Sequence, residues 1–227
     1  MQSGFKHRHH GQMSESILTV FFLSLSGGLQ DAYTYLFRGG VYANAQTGNI
    51  VMLSASLFDG NFAKAPHYLV PLVFFALGVW VAERIRIRFK SMQQLHWRQL
   101  IVLDEIIMLF AVGFMPQQWN TFANALVSFA CAMQVQAFRK VNGYGFASTM
   151  CIGNMRSGME ALCTWQVTHN AKALEKAMHY FGVIFVFALG AGIGSMSIEL
   201  FGARTIWLSS AILLVSFVLM FIKEECE

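Results

Sequence analysis

The feature that most constrains this chain is a series of apolar stretches near the length that crosses a lipid bilayer. A spanning helix needs about 20 mostly apolar residues. Six stretches qualify, at about residues 15–37, 67–81, 100–115, 121–138, 177–198 and 205–222. Two further segments, about 41–58 and 145–165, are apolar but interrupted by glycine, asparagine and threonine. Composition agrees: hydrophobic residues make up 56% of the 227 and charged residues 12%, against roughly 45–50% and about 25% in a typical soluble domain. Disorder, collagen and a disulfide-framed secreted domain are excluded, and an all-α polytopic membrane protein is predicted.

The net charge of +4 comes from 16 basic and 12 acidic residues. They are too sparse and scattered to track a phosphate backbone, so no nucleic-acid partner is expected. Cys131, Cys151, Cys163 and Cys226 include no C-x-x-C pair and are read as buried free thiols. Neither a metal nor a cofactor is expected. The basic stretch 6–10 and the apolar run 17–25 imitate a cleavable signal peptide, but the internal repeat described next argues that this helix is retained.

Residues 67–78 align without gaps on 179–190, with six of twelve positions identical, including His67/His179, Tyr68/Tyr180 and the run Phe-Ala-Leu-Gly. That offset is 112. Upstream, Gln46-Thr47-Gly48-Asn49 faces Cys151-Ile152-Gly153-Asn154 at an offset of 105, which also sets Asp31 against Gln136 and Gly40 against Gly145. The same elements in the same order indicate duplication. Repeat one covers about 15–117 and repeat two about 120–223, within a single membrane domain 15–223 flanked by tails 1–14 and 224–227. Three crossings per copy make the repeat inverted.

If both interrupted segments dip in and return, the chain makes six crossings with both termini cytoplasmic. Twelve of the 16 basic residues then fall inside and three (Arg38, Lys64, Arg204) outside. Eight full crossings would place nine inside and six outside, so the positive-inside rule favours six transmembrane helices plus two re-entrant or broken segments. The run Arg84–Lys90 alternates like a strand, but after an apolar helix it reads as a cytoplasmic helix end meeting anionic lipid.

Gly28-Leu29-Gln30-Asp31-Ala32-Tyr33, followed by residues 40–49, resembles the signature of the YoaK family of bacterial inner-membrane proteins. Residues 133–138 and 149–156 look like that family's second block. The resemblance implies a six-helix, multi-pass protein of the bacterial inner membrane and little about substrate. Ile152 departs from the threonine common in the family.

Irregular backbone at membrane depth is tolerated where it lines a cavity or is buried in protein. Gly48 and Gly153 can supply a turn or a close approach, and Asn49 and Asn154 can cap the helices that follow. Two helix N-termini facing the midplane would form a site for a small polar or anionic solute. The candidate pathway residues are therefore Asp31, Gln46, Thr47, Gly48, Asn49, Gln136, Gly153, Asn154 and Arg156. Asp31 reads either as a cavity carboxylate, free to bind protons or cations or to pair with Arg156, or as an interfacial group paired with Arg38. Arg156 either meets substrate or pairs with Glu160, four residues on.

Asp104 and Glu105 read as interfacial, snorkelling or paired with Arg98. His67 and His179 begin their helices as interfacial anchors or pH-responsive gates. Gly190, Gly192 and Gly194 form a small-residue face for packing within the protomer or in a homodimer. Expected partners are membrane lipids and a small solute. The alternative function, a membrane-embedded enzyme acting on lipid or isoprenoid substrates, lacks any recognisable nucleophile, aspartate-rich or metal motif in the sequence.

Overall fold

The computed structural model describes residues 17–89, 97–141, 144–145 and 149–221. Both tails, Lys90, Lys223 and Cys226 lie outside the described residues. Among the described residues the regular structure is helical apart from one antiparallel bridge, Lys140↔Gly145 and Val141↔Tyr144. In chain order the helices are α1 (Ile17–Leu36), α2 (Gln46–Phe58), α3 (Ala65–Phe89), α4 (Trp97–Val112), α5 (Asn120–Ala137), α6 (Cys151–Thr168), α7 (Ala171–Phe201) and α8 (Ile206–Leu219). Short 3₁₀ turns precede α5 and α8. The interrupted segments contain α2 and α6, and the basic run after Trp80 stays helical to Phe89. His179 lies well inside α7 rather than at its start, because that helix begins at Ala171.

Glycine sets the tightest contacts. Gly28 of α1 lies on the carbonyl of Phe187 in α7, and Gly190 of α7 lies on the carbonyl of Leu25 in α1. Any Cβ at either position would overlap backbone, so the two helices cross with main chain against main chain. Gly194 continues the seam beside Leu29 and Ala32, whereas Gly192 faces open space. In α3, Gly78 lies on the Phe129 carbonyl and the Ala132 methyl of α5. Small residues let helices approach closely, where dispersion and weak polar contacts strengthen.

The two crossings correspond. Gly190 follows Gly78 by 112 residues, the offset read from sequence, while Phe129 follows Leu25 by 104. The packing partners also exchange: α1 with α7 matches α5 with α3, α6 on α7 matches α2 on α3, α1 against α8 matches α5 against α4, and α4 meets α8. The register of 104 sets Gln30 opposite Gln134 and Ser24 opposite Ser128, identical residues in both cases. At that register Asp31 faces Val135, whereas the offset of 105 read from the loops sets it against Gln136. The helices are matched where they cross, and the extra residue falls in the loops beyond.

Polar residues share the interior with an apolar core that includes Leu23, Ile101, Leu109 and Leu213, and other large apolar residues cover the outside. Ser26, Gln30, Glu105, Ser128, Gln134 and Ser209 are buried, whereas Phe58, Ile152, Val167, Met196 and Leu200 are exposed. By length and composition, Ala65–Phe89 and the helical run Ala171–Leu219 can cross a membrane.

Arg38, just past α1, is wholly buried. Its guanidinium donates to the carbonyls of Val112 (3.1 Å), Met115 (2.8 Å) and Pro116 (3.2 Å), to Asn120 Oδ1 and to the Tyr33 hydroxyl. A fixed cation thus satisfies the open carbonyls at the end of α4.

Gly190→Ala should destabilise the purified protein by about 2 kcal/mol or more, the cost of overpacking a tight contact. Gly192→Ala should be neutral or stabilise by about 0.5–1 kcal/mol through helix propensity. Thermal melting of both variants in detergent checks the contrast.

Candidate functional site

The path from α1 into α2 turns at Gly39 (φ 93°) and Gly40 (φ 79°), left-handed conformations that suit glycine. These two glycines make the turn that sequence assigned to Gly48. Gly48 is helical, with its Cα facing the Tyr42 ring, and Gly153 faces open space. Residues 41–45 then run without regular structure to Gln46, the first residue of α2.

Two side chains in the first turn of α2 fold back over this segment. Asn49 accepts from the Tyr42 N–H (3.1 Å) and donates to the Tyr42 carbonyl (2.7 Å) and to Gln46 Oε1 (2.9 Å). Gln46 Nε2 donates to the Ala43 carbonyl (2.7 Å). Asn49 was expected to cap its own helix. It acts instead as a brace for the preceding loop, because it lies inside the helix rather than ahead of it. Ala45 is the cap residue and makes no side-chain cap bond, and the same holds for Met150 ahead of α6. Asn154 is buried in the first turn of α6, and Thr47 is exposed.

Asp31 reaches the same segment from α1. Its Oδ1 accepts from the Asn44 N–H at 2.8 Å and from Asn44 Nδ2 at 3.4 Å. It pairs with neither Arg38, which is committed to α4, nor Arg156, which binds Glu160 at 2.9 Å with its side chain 81% exposed. Gln136 is also elsewhere: at the end of α5 it donates to Glu83 Oε2 (2.7 Å), and Glu83 pairs with Arg86 and Arg139. His67 is held by the Gly39 carbonyl (2.8 Å).

The two interrupted segments meet on α1. Asn44, two residues before α2, donates from Nδ2 to the Gly27 carbonyl at 3.3 Å. Thr149, two residues before α6, packs its methyl against the Cα of Gly27, where a Cβ could not fit. Asn44 and Thr149 are 105 residues apart, the same spacing as between Gln46–Asn49 and Cys151–Asn154. Both are buried (7% and 6% exposed), and among the described residues Asn44 Oδ1 and Thr149 Oγ1 have no hydrogen-bond partner. Sequence reasoning passed over both, although each lies five residues ahead of a marked asparagine.

A second polar cluster joins α1, α4, α5 and α8. Gln30 Nε2 donates to Ser26 Oγ (2.9 Å), Glu105 Oε1 (3.0 Å) and Ser209 Oγ (3.1 Å), while the Cys131 thiol donates to Gln30 Oε1 (2.6 Å). Glu105 is therefore interior, not interfacial: it faces the bundle from the middle of α4, and the adjacent Asp104 faces outward. Cys131 is buried, but against expectation Cys151 is half-buried and Cys163 is exposed.

Over residues 19–219 the chain matches the family described as "Protein of unknown function (DUF1275)", and it belongs to that family. No curated protein and no solved structure matches it.

Asn49→Ala removes three hydrogen bonds that hold residues 42–46. Amide exchange at Tyr42 should quicken about tenfold or more, the equivalent of at least one net bond of about 1.4 kcal/mol. Exchange across the Gly28–Gly190 crossing should stay unchanged. Hydrogen-exchange mass spectrometry checks both.

Proposed function

We propose that this member of the DUF1275 family is a multi-pass protein of the bacterial inner membrane that moves a small polar solute, as a transporter or channel. In this reading α1, α3, α4, α5, α7 and α8 cross the bilayer. The shorter α2 and α6 enter to the midplane as half-helices, and both termini are cytoplasmic. The two halves form an inverted repeat, and the resemblance to the YoaK family belongs to the same reading.

The observation that carries the proposal is the convergence of Asn44 and Thr149 on Gly27. Two chain segments that are not helical there, each leading into a helix, meet at a single glycine. Irregular backbone is stable at membrane depth only inside protein or beside a polar cavity. Half-helix starts meeting between repeats are the usual setting of a solute site in secondary transporters.

Two features support the membrane setting: the exposed apolar side chains around an interior that buries several polar groups, and the 13 residues of α2. At 1.5 Å per residue α2 is about 20 Å long, short of the roughly 30 Å hydrocarbon core. The matched crossings at Gly78 and Gly190 support the repeat. Thr47, Gly48 and Gly153 would line the approach, with Gln46 and Asn49 holding its wall.

Two measurements test this reading. Single cysteines at Thr47 and Gly153, in a chain otherwise free of cysteine, should react with a membrane-impermeant thiol reagent from one side of the vesicle. A control cysteine at Leu189, on the apolar exterior of α7, should stay unreactive. Proteoliposomes should also recover volume after osmotic shrinkage faster than empty liposomes with at least one of urea, glycine, methylammonium chloride or potassium phosphate. Unreactive cysteines at both sites, or recovery equal to empty liposomes for all four solutes, would reject it.

A further inference from the structure

The chemistry at Gly27 narrows what could bind there, and the narrowing rests on the midplane reading above. Asn44 is fixed in orientation: its Nδ2 faces two acceptors, the Gly27 carbonyl and Asp31 Oδ1, so a flipped amide would set oxygen against oxygen. Its Oδ1 therefore points away from both, buried and without a donor. Thr149 Oγ1 is likewise buried without a partner, on the other segment reaching Gly27. Asp31 adds a carboxylate that is 8% exposed, and among the described residues no cationic side chain forms an ion pair with it.

A buried acceptor left empty carries a desolvation penalty. Asn44 Oδ1, next to the Asp31 carboxylate, can only accept, and the Thr149 hydroxyl on the corresponding segment can accept as well, so together they favour a group that offers hydrogen or positive charge. The helix starts alone would favour an anion. Yet the backbone N–H of Asn44 already donates to Asp31, and the nearest basic group on α6, Arg156, is exposed and paired with Glu160.

We propose that Asp31, Asn44 and Thr149 form a binding site for a small monovalent cation, either an alkali-metal ion or a primary ammonium group, held by side-chain oxygens at the junction of the two half-helices. Oxygen donors of this kind coordinate hard cations and also accept from ammonium hydrogens. A carboxylate with two neutral oxygens suits a single positive charge, whereas a dedicated calcium site takes six to eight oxygen ligands.

The full chain, purified in detergent, is melted in lithium, sodium, potassium, ammonium and methylammonium chlorides, with choline chloride at equal ionic strength as reference. At least one small cation should raise the melting temperature by about 5 °C or more at a hundredfold excess over its Kd. The alkali and ammonium arms tell the two sources apart. Thr149→Val removes one orphaned oxygen while keeping shape, so it should melt no lower than wild type in choline yet need at least tenfold more cation. Ser128→Ala, which removes an orphaned hydroxyl on α5, should respond as wild type does. If Thr149→Val melts lower in choline, Thr149→Ser, which restores the hydroxyl, must restore the response.

The proposal is overturned if no cation exceeds choline, or if Thr149→Val responds at wild-type concentrations. It is also overturned if choline phosphate or sulfate stabilises the protein where the cations do not, although an anion site would leave the midplane reading standing. Cation-dependent stabilisation with unreactive Thr47 and Gly153 cysteines would retain the ion site and remove the permeation reading.

Discussion

Main chain pressed against main chain at the α1–α7 crossing is the contact on which the other features depend. With Gly28 on the Phe187 carbonyl and Gly190 on the Leu25 carbonyl, the helices touch without intervening side chains. Such proximity leaves little freedom in angle or register. It also sets the depth of Gly27, one residue before Gly28, and so the place where the segments ahead of α2 and α6 come together. A larger residue at either glycine would move that meeting point as well as the helix. The α3–α5 crossing makes a similar contact through Gly78 on the Phe129 carbonyl.

Polar groups show a division of labour. Arg38 is spent on architecture: its five hydrogen bonds close the end of α4 and tie it to Tyr33 and Asn120. Asn49 and Gln46 spend theirs on the loop that precedes them. Gln30 links α1 to α4, α5 and α8 through a satisfied network, which in a low-dielectric interior rigidifies and specifies a packing. Against this background of committed groups, the oxygens of Asn44 and Thr149 have no partner among the described residues. Unlike the unpartnered oxygens of Ser24, Asn124, Ser128, Ser210 and Ser216 on the helices, they lie on the two non-helical segments that reach Gly27.

The helical elements could be read from the sequence because long apolar runs with polar breaks leave few alternatives. The start of α2 at Gln46 and of α6 at Cys151 follows the marked Gln-Thr-Gly-Asn and Cys-Ile-Gly-Asn blocks closely. The offset of 112 likewise predicted that Gly78 and Gly190 play the same part. Side-chain partnerships were harder to read. Asp31 and Gln136 align at the offset of 105 but take different partners: Asp31 accepts from Asn44 and Gln136 donates to Glu83. Glu105 looked interfacial because its neighbours in sequence include Asp104 and Arg98. Only the face of α4, set by helices distant along the chain, turns it inward while Asp104 looks out.

Glu105 has a consequence for how the chain reaches its final form. In a bilayer, a carboxylate at the centre of an isolated helix costs about 2.5–3.5 kcal/mol to insert. Gln30, which donates to it, is made early, but Ser209, which shares that amide, belongs to the last helix. On the membrane reading proposed above, α4 is made before Ser209 of α8 can complete the polar cluster, so the insertion of Glu105 depends on the order in which the helices assemble.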